Sequence, residues 1–158
     1  MDKVTRTDAA ARLRVIRPDS LSASTAQTGG MLRSAAISGD LTGARELWMG
    51  RTVVLPGTSS GDHHHGSSET GIYVVSGNPV FVFRDPESGS LVRLETSPGD
   101  YVWVPPHVPH REENPSPRYR GRRGDRPVDA GSDRRQRAFP VMVAALTRDP
   151  CRRSGGRA

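Results

Sequence analysis

The sequence predicts an all-β protein, an antiparallel sandwich or small barrel, and three observations carry that expectation. Hydrophobic residues make up only 34% of the 158 positions and aromatics 5%, while glycine and proline number 17 and 13. That composition excludes a helical bundle and suits a turn-rich chain. Between residues 45 and 114, short β-branched and aromatic runs recur about every ten residues, each closed by Gly, Pro or Asp, with no 3.6-residue periodicity among them. The length is that of one domain with a single core.

The elements follow in order. Residues 1–30 read as a partly disordered arm, with one short apolar alternation at 13–16 (LRVI) that predicts an edge strand. Residues 26–31 form a turn, and a short strand over 33–38 closes at Gly39-Asp40. Residues 46–55 (ELWMGRTVVL) are a stronger strand, stopped by Pro56-Gly57. After a Gly/Ser/His segment come strands at 72–75, 80–84, 91–95 and 101–104. They are separated by Ser76-Gly77-Asn78-Pro79, by residues 85–90 (DPESGS) and by Ser97-Pro98-Gly99-Asp100. The barrel is expected over 31–117, and residues 118–158 read as a basic tail.

Charge is unevenly placed. The net charge is +6, yet residues 1–117 carry 11 Lys/Arg against 13 Asp/Glu, and residues 118–158 carry 12 Arg against 4 Asp. Arg118, Arg120, Arg122, Arg123 and Arg126 form a dense run that could give salt-sensitive phosphate binding. The acidic body carries no nucleic-acid motif, so nucleic acid is not the expected partner. No run approaches 18 apolar residues and the N-terminus has no apolar signal region, which predicts neither a membrane span nor secretion. Cys151 is the single cysteine, so no internal disulfide forms and a cytoplasmic protein is expected.

The five histidines fall in two clusters, His63-His64-His65 and His107-Val108-Pro109-His110. In an extended segment, residues two apart share a face, so His63 and His65 aim together while His64 points away. Glu69 has the same parity. Three imidazoles and a carboxylate suit a borderline divalent ion such as Mn, Fe, Ni, Cu or Zn. A run of three histidines alone is more often a solvated loop. Here it follows a strand-ending Pro-Gly, precedes an apolar strand and has a second histidine cluster after a Pro-rich strand end.

These residues resemble the cupins. Gly57 stands before five residues and then His63-His64-His65, with Glu69 after three more and Gly77 after seven. Counting back from Gly77 instead would put Thr70 at the glutamate position. A second motif runs from Gly99 through Pro105 and His110 to Asn114, with His107 where the family usually has glycine. The resemblance covers residues 57–114 and implies a double-stranded β-helix of jelly-roll type. It also implies one divalent transition metal held by His63, His65, Glu69 and His110. Functions in the family range from isomerases and dioxygenases to storage and ligand-sensing proteins, so a small-molecule metalloenzyme and a non-catalytic ligand-binding module are both open. Small barrels of this kind commonly pair, so a homodimer is expected, with residues 13–16 as a strand for edge pairing.

His107 could stand behind the metal ligands or at an exposed rim, and Tyr73 shares the parity of His63 and could line the pocket. Trp48, Trp103, Phe81 and Phe83 are expected in core or dimer contacts. Arg51 and Arg84 would bind an anion only if they faced inward, against the usual habit of charged residues. Alternation stops after residue 117, although a jelly roll still needs closing strands. The Arg-rich stretch resembles a GC-rich gene read one base out of frame, and a one-base shift there can encode two strand-like runs.

Overall fold

The computed structural model describes residues 12–116 and 140–146, the latter through their backbone. In chain order the strands are β1 (Met31–Ile37), β2 (Leu47–Val54), β3 (Thr58–Ser59), β4 (Thr70–Val74), β5 (Val80–Arg84), β6 (Leu91–Glu95), β7 (Tyr101–Val104), β8 (His110–Asn114) and β9 (Pro140–Leu146). One turn of helix, α1 (Gly39–Thr42), follows β1 and is capped by the Ser38 side chain. Two antiparallel sheets form, in the orders β1-β2-β9-β4-β7 and β3-β8-β5-β6. The predicted all-β antiparallel architecture is the one observed. No helix among the described residues is long and apolar enough to cross a membrane.

Alternation along each strand decides which face turns inward. In β4, Thr70, Ile72 and Val74 are buried while Gly71 and Tyr73 are exposed. In β8 the buried set is His110, Glu112 and Asn114, so this strand turns a polar face to the interior. Ile72, Phe81 and Val104 form the core cluster, with Trp48, Val102 and Val108 packed against it. Each such side chain contributes about 1.5–3 kcal/mol by leaving water. Asn114 Nδ2 donates to the carbonyl of Val54 at 2.9 Å, tying the end of β8 to β2 in the other sheet.

The structure differs from the sequence-based expectations in several places. Residues 13–16 form no strand, and Leu13 and Val15 remain 96% and 63% exposed. The free edge of β1 is met instead by Ser22, which exchanges two backbone hydrogen bonds with Ala35 at 2.9 and 2.8 Å. Trp103 is 65% exposed and not in the core, because the inward parity of β7 belongs to Val102 and Val104.

The barrel also continues beyond residue 117. β9 lies between β2 and β4, with Gly50 opposite Val143 and Ile72 opposite Val143 from the other side. This strand comes from the segment read as a basic tail, and it fills a gap that two neighbouring strands would otherwise leave unpaired. The arm before residue 12, the Arg-rich run 118–139 with its reading-frame question, and Cys151 lie outside the described residues.

Candidate metal centre

The centre is built on the ladder between the β3 segment and β8. Thr58 pairs with Asn114 and Ser59 with Glu113, and the Ser60 N–H donates to the Glu112 carbonyl at 2.9 Å. His63 then bridges His110 through two hydrogen bonds of 2.9 Å. Three steps on one side match two on the other, so the chain carries one extra residue at Gly61-Asp62. Such a bulge re-aims the side chains that follow it. It turns His63 to the face of His110, and alternation brings His65 to the same side.

The three imidazoles converge. Ring centroids are 4.6 Å apart for His63 and His110, 4.9 Å for His65 and His110, and 5.3 Å for His63 and His65. Each offers one ring nitrogen, and these atoms all lie within 4.8 Å of one another, close enough to hold a metal ion. Their other nitrogens are engaged. Nδ1 of His63 faces the Gly61 carbonyl at 3.0 Å, and Nδ1 of His110 faces the Val108 carbonyl at 3.1 Å. A carbonyl only accepts, so these contacts require the proton on Nδ1, and in the neutral ring they leave the Nε2 lone pair free. His65 Nδ1 lies 2.6 Å from the Thr70 hydroxyl. Nε2 of His110 is buried and has no hydrogen-bond partner among the described residues.

Charge around the histidines is balanced by two residues absent from the motif reading. Glu112 is 3% exposed, with its carboxylate 3.7 Å from His110 Nε2 and 3.8 Å from His63 Nε2. The Ser60 hydroxyl donates to its Oε2 at 2.9 Å and accepts from its backbone N–H at 2.9 Å. Arg33 reaches in from β1 with its guanidinium 4.9 Å from the Trp48 ring centroid. Burial lowers the Arg33 pKa, and the Glu112 charge opposes that shift. His65 is pushed down to about 4 by burial, helped by His110, His63, Arg33 and His64. On the other side, an apolar cleft of about 450 Å³ reaches His110 between Phe81, Phe83, Val102 and Val108.

Of the sequence-selected residues, His63, His65 and His110 come together and Glu69 does not. Glu69 is exposed, and Thr70, the other candidate for its motif position, is the one turned inward against His65. The turn at Gly66 (φ 63°) breaks the extended run, so parity counted from His65 does not survive into β4. The same break puts Tyr73 on the outer face beside Tyr101, with ring centroids 4.8 Å apart, and not in the pocket. His64 points away as expected, 6.1 Å from the exposed ring of His107. His107 stands at the rim with φ 61°, the conformation that suits the motif's usual glycine, and its N–H donates to the Gly66 carbonyl at 2.7 Å. Arg51 and Arg84 are exposed. Arg33, Ser60 and Glu112 were missed. For Glu112 a signal existed, since it stands two residues after His110 and so shares its face in any strand.

Comparison with known proteins agrees with this architecture. The Cupin domain family matches residues 50–120. A cupin superfamily protein from Desulfitobacterium hafniense is similar in structure, with TM-score 0.50, 15% identity and coverage of 78% of this chain and 83% of that one. A predicted oxalate decarboxylase from Thermotoga maritima has TM-score 0.55 and 15% identity, with 85% and 99% covered. The polyketide cyclase RemF from Streptomyces resistomycificus has TM-score 0.53 and 20% identity, with 95% and 82% covered. These likenesses concern the fold. No curated protein matched the sequence.

Proposed function

We propose, from the premise that this chain belongs to the cupin superfamily, that it binds one divalent transition metal through His63, His65 and His110 and acts on a small molecule at that centre. The observation that carries the reading is the buried Nε2 of His110, unpartnered among the described residues and facing two further imidazoles, of which His63 likewise has its Nδ1 turned to a carbonyl. A buried polar atom without a partner is costly, and an ion is the partner that three convergent lone pairs suit. Histidine ligands characteristically give their second nitrogen to a carbonyl or a hydroxyl, the pattern seen at all three rings.

A divalent ion held this way would supply Lewis acidity to a bound oxygen donor. The chain's own residues would do the rest. Thr70, Gly61 and Val108 hold the rings by their Nδ1 atoms. The apolar cleft beside His110 would admit a small molecule while limiting water. Solved structures of this fold include proteins described as a predicted oxalate decarboxylase and a polyketide cyclase, and metal-centred turnover of a small organic molecule is the reading carried here to this chain.

Metal analysis of the purified protein tests this. About one transition metal per chain is expected, most of it lost in His63→Ala and His110→Ala and retained in His64→Ala. A protein that takes up no transition metal, or one stripped by His64→Ala and not by His65→Ala, would refute the reading.

A further inference from the structure

We infer that Glu112 is the carboxylate that completes the centre, in place of the motif glutamate. The inference rests on the metal reading above. Its oxygens stand 3.7 and 3.8 Å from Nε2 of His110 and His63. Both distances are too long for direct hydrogen bonds. Bonds of about 2.0–2.2 Å to a common ion place neighbouring ligand atoms about 3–3.5 Å apart, so these spacings are close to those of groups sharing one ion.

The hydrogen-bond bookkeeping points the same way. With Nδ1 of His63 and His110 donating to carbonyls, their Nε2 atoms present lone pairs. A buried carboxylate facing these two lone pairs, that of His110 itself buried, is acceptor against acceptor, with no donor between them among the described residues. A cation at their meeting point relieves that conflict. The carboxylate is also held in advance, because the Ser60 hydroxyl donates to Oε2 while accepting the N–H of Glu112 itself. Glu69 has none of these features and is exposed. The carboxylate has therefore moved from the strand after the histidine pair to the strand that carries the third histidine, and Thr70 fills the place it left.

The probe is Co2+ added to the full chain, read by its visible absorption and by competition with a chelator. Glu112→Gln keeps size and the Ser60 contact but removes the charge. It is expected to change the Co2+ absorption band and to weaken binding by more than about 100-fold, beyond the 10–100-fold range of groups that only support ligands. Glu69→Gln should change neither. A Co2+ band unaltered in Glu112→Gln overturns the assignment, whatever the change in affinity. If that variant does not fold, infrared difference spectra of the unsubstituted protein decide. A buried carboxylate band that shifts when Co2+ is added supports the assignment, and unchanged carboxylate bands overturn it. If the unsubstituted chain takes up no Co2+, the metal reading itself fails. Uptake with an unaltered Glu112→Gln spectrum defeats the Glu112 assignment alone.

Discussion

The Thr70 hydroxyl lies 2.6 Å from Nδ1 of His65, at the first residue of β4 and fully inside the barrel. A His65 that coordinates through Nε2 carries its proton on Nδ1 and donates it to Thr70, which fixes the ring. Thr70→Val keeps the shape and deletes that acceptor. Metal affinity is expected to fall about 10–100-fold with little loss of fold stability beyond that of one hydrogen bond. Chelator competition checks this, and an unchanged affinity would mean that Thr70 does not orient the ring.

Gly50 lies in β2 opposite Ala35 of β1. A Cβ there would collide with the Ser34 carbonyl oxygen and lie 2.7 Å from the Trp48 ring. The backbone oxygen has little room to move, and Trp48 is held by the core and by Arg33. Gly50→Ala is expected to destabilise the protein by about 1–3 kcal/mol, the usual cost of overpacking. Denaturant unfolding measures it, and a stability equal to that of the parent would contradict the packing described.

Glu113 gives the outer face of the β8 sheet a pH dependence. It accepts from Arg93 at 2.8 Å and from Arg111 at 2.8 Å. The Arg93 hydrogen bond, opposed by burial and aided by Arg111, holds the carboxyl below the ordinary glutamate range. A depressed carboxyl pKa adds stability above the unfolded value, and that stability disappears as pH falls through the folded value. Arg93 is half exposed, so the contribution stays within about 1 kcal/mol. Unfolding curves of the parent and of Glu113→Gln should differ at neutral pH and converge in acid. A gap independent of pH would rule out the ion pairs as its source.

Tyr73, Tyr101 and Trp103 share the outer face of β4 and β7, and among the described residues β7 is an edge of its sheet. Tyr101 is 81% exposed. An unpaired edge beside exposed aromatics is a surface that proteins usually cover. A dimer through this face is expected at micromolar concentration, and Tyr101→Lys with Trp103→Lys should shift the mass measured by light scattering to that of a monomer. A parent protein that is already monomeric would remove the expectation.

Much of this fold was legible because hydrophobic alternation and turn residues are local signals. Of the anticipated strands, β5, β6 and β7 appear with the expected ends, β1 and β2 with shifts of one or two residues, and β4 begins two residues earlier than expected. β8 was not legible, since its sequence HREEN buries His110, Glu112 and Asn114 and so shows no apolar face. β3 is two residues long, and β9 follows an Arg-rich stretch that hides its apolar run.

The histidine spacing determined by itself that His63 and His65 share a face, and turn chemistry with alternation determined that the chain would be antiparallel β. Those properties depend on near neighbours along the chain. The identity of the carboxylate facing them was decided in three dimensions. Parity is a reliable guide only along uninterrupted extended backbone. The extra residue at Gly61-Asp62 and the turn at Gly66 each reset it, one turning His63 inward and the other sending Glu69 outward. Glu112 shares the face of His110 by alternation within β8, and it meets His63 and Ser60 because β8 pairs with the β3 segment in one register, a contact between residues some fifty positions apart.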